Sequence, residues 1–343
     1  MKSNEYFAKR FEILQDKLLN KGDLYEENLK KQYTLAANKV EKEIESWFAR
    51  FARSECISLR EAKKLLSKDE LEAFKLTVDE YIKLGETLNY SDQWAKTLER
   101  ASVKVHITRL ESLKLQMRQQ VEALYAKESE DMSALMTDIY TEGYYKSAYE
   151  VQKGFQLGFP VKVDTNRVEK LLVSPWTADG LDFSERIWGK HRPELVSYLE
   201  RELTQSIIRG ENPQKLIDKV SKKFDVSKRK AGNLVMTESA FFASASTMDC
   251  FNDLNVDEYI IVATLDFKTS EICREMDGKV FKMSEYEVGV TANPFHPRCR
   301  TVTAPYFNDE FTKDNTRIAR GADGKTYYIP ADITYKEWRE KYT

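Results

Sequence analysis

All eight prolines of this 343-residue chain lie at Pro160 or beyond, and residues 1–150 contain only three glycines, Gly22, Gly85 and Gly143. Proline and glycine are the residues that most often interrupt a helix, so a stretch this long without them is expected to be helical. From Tyr25 to Ala52 the apolar residues Leu29, Tyr33, Ala36, Val40, Ile44, Trp47 and Phe51 recur at helical spacing, which predicts one face packed on a neighbour. Ser58-Leu-Arg-Glu61 has the form of a capping box. The segment Ser91 to Ala126 reads as one long helix with loose heptads, and His106 falls inside it as half-buried packing. The expected N-terminal module, residues 1–155, is therefore elongated and helical.

Gly154, Gly158 and Pro160 end this regime, and residues 156–183 read as a connection. Helical patterning resumes from Ser184 to Ile208, stops at Arg209-Gly210 and restarts at Asn212-Pro213, where asparagine caps and proline suits the first turn. A helical hairpin follows from that punctuation, with a further helix over Ser227–Phe251. Tyr259 to Leu265 reads as a buried strand and is far too short to span a bilayer, which needs roughly 20 apolar residues. The fold class expected is mainly α (α+β), with a small β-containing motif toward the C-terminus.

Charge excludes global steering toward nucleic acid: 54 Lys and Arg stand against 56 Asp and Glu. Local contact remains open at Lys222, Lys223, Lys228, Arg229 and Lys230, either as weak, sequence-blind DNA binding or as a solvated helix face. The sequence shows no Walker A string, no Gly-x-Gly-x-x-Gly fingerprint and no zinc-deaminase pattern. Glu238 is read as a carboxylate paired within the fold rather than as a general base. The first residues lack the apolar core of a signal peptide, so the chain is expected in the cytosol until it joins something larger. Four widely spaced cysteines, Cys56, Cys250, Cys273 and Cys299, argue against a disulfide framework.

His296 and Cys299 can converge from one turn stiffened by Pro297, with Cys273 as a third ligand and Asp266 as a fourth, a donor set that zinc accepts. The competing reading is a metal-free cluster of small buried thiols with a turn-capping histidine. In the string Thr264-Leu-Asp266, Cys273, Asp277-Gly-Lys-Val-Phe281, Pro294-Phe-His-Pro-Arg-Cys-Arg300 and Pro305, the chain resembles the phage head morphogenesis family, the Mu protein F-like minor head proteins. Ile208-Arg-Gly210, Asn212-Pro213 and Thr237-Glu238 resemble the helical half of that domain, so the resemblance spans roughly residues 180 to 305.

The resemblance implies a Mu F-like domain over residues 184–305, and Tyr327, Tyr328, Ile329, Tyr335 and Trp338 point to an ordered docking tail over residues 306–343. It also implies a minor capsid protein assembled in few copies with the portal, capsid or scaffold of the prohead, affecting DNA packaging, retention or ejection, and located in the virion. No catalytic activity comes with it. Relatives often carry a second cysteine after the motif arginine, where this chain has Thr301, and Asp266 is then the expected fourth ligand. The reading from another class is a metal-dependent enzyme or toxin-like effector acting on nucleic acid or a host protein.

Overall fold

The computed structural model describes residues 3–52, 56–156, 158, 160–307, 316–320, 326–330 and 337. Mainly helical structure with a small antiparallel sheet is what it shows. Helix α1 spans Asn4–Phe51, followed by α2 (Leu59–Ala62), α3 (Lys68–Leu88), α4 (Asp92–Ser102) and α5 (Arg109–Phe155). Then come α6 (Thr165–Leu172), α7 (Phe183–Glu185), a π-helical turn (Arg186–His191), α8 (Arg192–Arg209) and α9 (Pro213–Asp253). Strands β1 (Glu258–Val262), β2 (Val280–Lys282) and β3 (Val302–Tyr306) form a sheet ordered β2-β1-β3, with α10 (Glu271–Met276) between β1 and β2. Strands β4 (Thr316–Arg320) and β5 (Thr326–Pro330) pair separately and antiparallel.

Two expectations change. The helix read across Ser91–Ala126 is two helices, because Thr108 and Glu111 start a new one: the Glu111 carboxylate accepts the Thr108 N–H at 2.8 Å, and Thr108 Oγ accepts the Glu111 N–H at 3.2 Å. His106 consequently sits exposed in the intervening loop instead of on a packed helix face. The helices expected from Asn212 and from Ser227 are instead one, α9, since nothing between them breaks the hydrogen-bond ladder. Of the capping box expected at Ser58 the hydroxyl half is present, accepting the Glu61 N–H, while the Glu61 carboxylate pairs with Lys64. In the tail, Tyr327, Tyr328 and Ile329 fall on β5, while Tyr335 and Trp338 lie outside the described residues.

The chain forms two compact units, each built from separated segments. Unit 1 comprises residues 1–26, 133–180 and 233–343; unit 2 comprises 27–132 and 181–232. In unit 1, Phe7, Phe11, Val151 and Phe251 pack with Tyr259, Ile261 and Ala304 of the sheet into one apolar core. Close helix approach there depends on Gly143, where an added Cβ would stand 2.2 Å from the Ser246 hydroxyl oxygen.

Unit 2 buries Phe74, Val78, Tyr90, Trp94, Leu98 and Ile107 together, and Gln119 meets the polar atoms inside: its amide oxygen accepts the Trp94 indole N–H at 2.9 Å. Among the described residues, two glutamates are buried in this unit. Glu122 is matched by the Arg192 guanidinium, whose Nε lies 2.7 Å from its carboxylate. Glu128 accepts the Tyr33 hydroxyl at 2.7 Å, and its burial pushes its pKa from 4.5 up to about 7 despite that bond.

Because the folded state holds a proton on Glu128 more tightly than the unfolded chain does, this residue leaves stability intact below pH 4.5 and removes it as pH rises through about 7. Glu128→Gln keeps an acceptor for Tyr33 and removes the titration. The variant should match the wild type near pH 4.5 and exceed it at pH 8 by up to roughly 3 kcal/mol in denaturant unfolding. Equal pH dependence of the two proteins would refute this account.

Candidate metal centre

Register in the sheet brings the candidate ligands together. β1 and β3 run antiparallel with Val262 opposite Val302, so the chain leaving β1 and the chain entering β3 emerge at the same end. The first carries Thr264 to Ser270 and then α10, whose cap is Ser270: its hydroxyl accepts the Cys273 N–H and fixes Cys273 in the helix's first turn. The second carries Pro294 to Arg300. A turn closes from the Cys299 N–H to the His296 carbonyl at 3.2 Å, with Arg298 in the left-handed region at φ 59°.

Cys273 Sγ lies 3.7 Å from Cys299 Sγ and 3.2 Å from His296 Nε2, and all three donor atoms lie within 4.8 Å of one another. A tetrahedral zinc with Zn–S bonds of about 2.3 Å separates two sulfurs by roughly 3.8 Å, close to what is found. The histidine is oriented for the task. Its Nδ1 is 2.8 Å from the Pro297 carbonyl, and a carbonyl can only accept, so Nδ1 carries the hydrogen and Nε2 presents its lone pair toward the thiols. The Cys273 thiol, with backbone N–H groups at Phe295 and Thr301, holds Cys299 down to about 6 against the effect of burial. Cys273 is shifted upward by the same partnership and by its own burial. The pairing thus favours the charged form of Cys299, and a thiolate is what a metal binds. These three residues could hold a divalent metal ion.

Asp266 does not join them. Both its oxygens are engaged by Arg300, at 2.6 Å and 2.8 Å, and it also accepts the Lys268 N–H at 2.9 Å. Although burial works against its charge, Arg300 holds its pKa below the usual carboxylate value. The expected fourth ligand is instead one half of a bidentate ion pair joining the two loops. Arg300 was legible in the sequence only as part of a motif, and that role depends on the loops being adjacent. Arg298 has a comparable function: Nε donates to Asn233 at 2.7 Å and a terminal nitrogen to Glu26 at 2.9 Å, tying the turn to α9 and α1.

The other sequence-predicted residues lie elsewhere. Lys223 and Lys230 both pair with Glu194, and Lys228 pairs with Asp225 at 2.7 Å. Lys223 and Lys230 take Glu194 down to about 2. Glu238 accepts the Trp176 indole N–H at 2.9 Å, a pairing within the fold. Cys250 is buried on α9, and Cys56 belongs to unit 2.

Metal content should depend on Cys299 and be insensitive to Asp266. Elemental analysis should find bound metal lost in Cys299→Ser but retained in Asp266→Asn and in Cys250→Ser. Asp266→Asn should still lower the melting temperature, because it strands the half-buried Arg300. Loss of metal in Asp266→Asn at unchanged secondary structure would restore the carboxylate as a ligand.

Comparison with known proteins extends the resemblance beyond this centre. Residues 197–304 match the family described as Phage Mu protein F like protein, and Cys273, His296 and Cys299 all lie within that match. The chain is 26% identical over 300 residues to the minor head protein GP7 of Bacillus phage SPP1, an alignment covering 82% of this chain and 88% of that protein. No solved structure matches. Residues 197–304 are therefore similar to the Mu protein F-like family, in a chain similar along most of its length to a phage minor head protein.

Proposed function

We propose that this chain is a minor head protein of a tailed bacteriophage, a structural component of the virion rather than an enzyme. The observation that carries this reading is the reach of the similarity to GP7, which extends well past the Mu F-like segment into the N-terminal helices. On this reading the protein is held in the host cytoplasm until it joins the prohead. There it meets the portal protein and capsid or scaffold components in few copies, and it influences DNA packaging, retention or ejection. None of its helices is long and apolar enough to cross a membrane among the described residues, which accords with assembly through protein contacts. The metal is zinc in a structural role, because two thiolates and an imidazole suit its preferences and scattered ligands that converge only on folding add binding energy to stability.

Quantitative mass spectrometry of purified proheads and virions is the test. The protein should be present at far fewer copies than the major capsid protein, and its absence from both particles would overturn the assignment.

DNA contact by Lys222, Lys223, Lys228, Arg229 and Lys230 is weak and sequence-blind on this reading. Three of the five are already paired with Glu194 and Asp225, which leaves Lys222 and Arg229 to meet phosphates. Two released counterions give a slope of log affinity against log salt of about −2. Anisotropy titrations with unrelated duplexes should give that slope equally for each, and Lys222→Gln with Arg229→Gln should flatten it. A slope near zero in the wild type would assign the whole segment to a solvated face.

A further inference from the structure

Cys273 and Cys299 are also placed for a chemistry that needs no metal. Their sulfurs lie 3.7 Å apart, in contact but unbonded, although the residues are 26 positions apart in sequence. A disulfide bond is about 2.05 Å long, so the two sulfurs have roughly 1.7 Å to close. Partial rotation about a cysteine Cα–Cβ bond covers such a distance. Cys273 rides on the short helix α10 and Cys299 on the turn that enters β3, so a bond between them would tie two separate segments.

The two sulfurs differ in access. Cys273 and His296 border a recess of about 40 Å³ that opens to solvent, whereas Cys299 is not among its walls and is 1% exposed. An oxidant therefore reaches Cys273 first. The recess has room for a molecule the size of hydrogen peroxide, with its two heavy atoms, and none for a tripeptide disulfide such as oxidised glutathione. His296 Nε2 lies 3.2 Å from Cys273 Sγ with its lone pair toward the thiol, where it can receive the proton that the sulfur must lose.

We propose that Cys273 and Cys299 form a peroxide-oxidation site that closes to a disulfide, a covalent staple between α10 and the turn before β3. The Cys273 sulfur attacks one peroxide oxygen as its proton passes to His296. The O–O bond breaks, the departing hydroxide recovers that proton as water, and Cys273 is left as a sulfenic acid. The Cys299 thiol then attacks the same sulfur: the S–S bond forms, the S–O bond breaks, and hydroxide leaves with the Cys299 proton as a second water. Two thiols have lost two electrons and one peroxide has gained them. Zinc and the disulfide draw on the same two sulfurs, so the centre holds one or the other, and the oxidation does not depend on the zinc reading.

The test treats the full chain, reduced and freed of metal by chelator, with a small excess of hydrogen peroxide, followed by digestion without reduction. Mass spectrometry should find a peptide joining Cys273 to Cys299, lighter than its two parts by two hydrogens. The melting temperature should rise and return on reduction with dithiothreitol, because the closed loop restricts the unfolded chain. In Cys299→Ser, dimedone should trap a sulfenic acid at Cys273, whereas in Cys273→Ser it should leave Cys299 unlabelled. Oxidised glutathione should not produce the joined peptide. Its absence after peroxide, or joins through Cys56 or Cys250 in its place, would overturn the proposal, and the wild-type digest decides this even where a variant fails to fold. Equal oxidation by glutathione disulfide would overturn the recess as the route, and a joined peptide at unchanged melting temperature would overturn the staple.

Discussion

Val262 stands opposite Val302 in the pairing of β1 with β3, and that register decides where two loops distant in sequence meet. A slip of one residue would turn Tyr259 and Ile261 out of the core they share with Phe7, Phe11 and Phe251, so the apolar face fixes the register strongly. The same constraint that buries the strand therefore brings Cys273 beside Cys299. Pro305 is tolerated within β3 because that strand is the edge of the three-stranded sheet, where a missing N–H leaves no ladder bond unmade.

Loops that meet must still be held in place. Arg300 and Asp266 join the two loops to each other, and Arg298 fastens the second to Glu26 and Asn233 on the long helices. Both arginines flank Cys299, one on each side. Bidentate guanidinium contacts constrain distance and orientation together, which a lysine could not do as well. The centre is thus positioned by ion pairs, in a geometry already close to what a bound ion would need.

Helical content was legible from the chain because it follows from what is absent, proline and glycine, and from the regular return of apolar residues. The break at 103–108 was not legible as such, since Thr108 and Glu111 form a cap only when the intervening backbone turns, and their pairing looks the same on paper as two ordinary helix residues. Convergence of Cys273, His296 and Cys299 followed from the motif spacing. The fate of Asp266 did not: a carboxylate near thiols in the sequence serves equally as ligand or counter-ion, and only the position of Arg300 decides between them.

Unit 2 shows the opposite use of buried charge. Glu122 is 0% exposed and is matched by Arg192 and Arg118, so its desolvation is offset by charge-assisted bonds. Glu128, also 0% exposed, meets a neutral hydroxyl from Tyr33, and its proton affinity rises accordingly. Six residues apart on α5, the two carboxylates differ because one faces a guanidinium and the other a phenol. In unit 1, likewise, an arginine claims Asp266, while Cys273 and Cys299 lie against each other. At the end of the sheet the groups drawn together are two thiols and an imidazole, whose donor atoms could hold a metal ion.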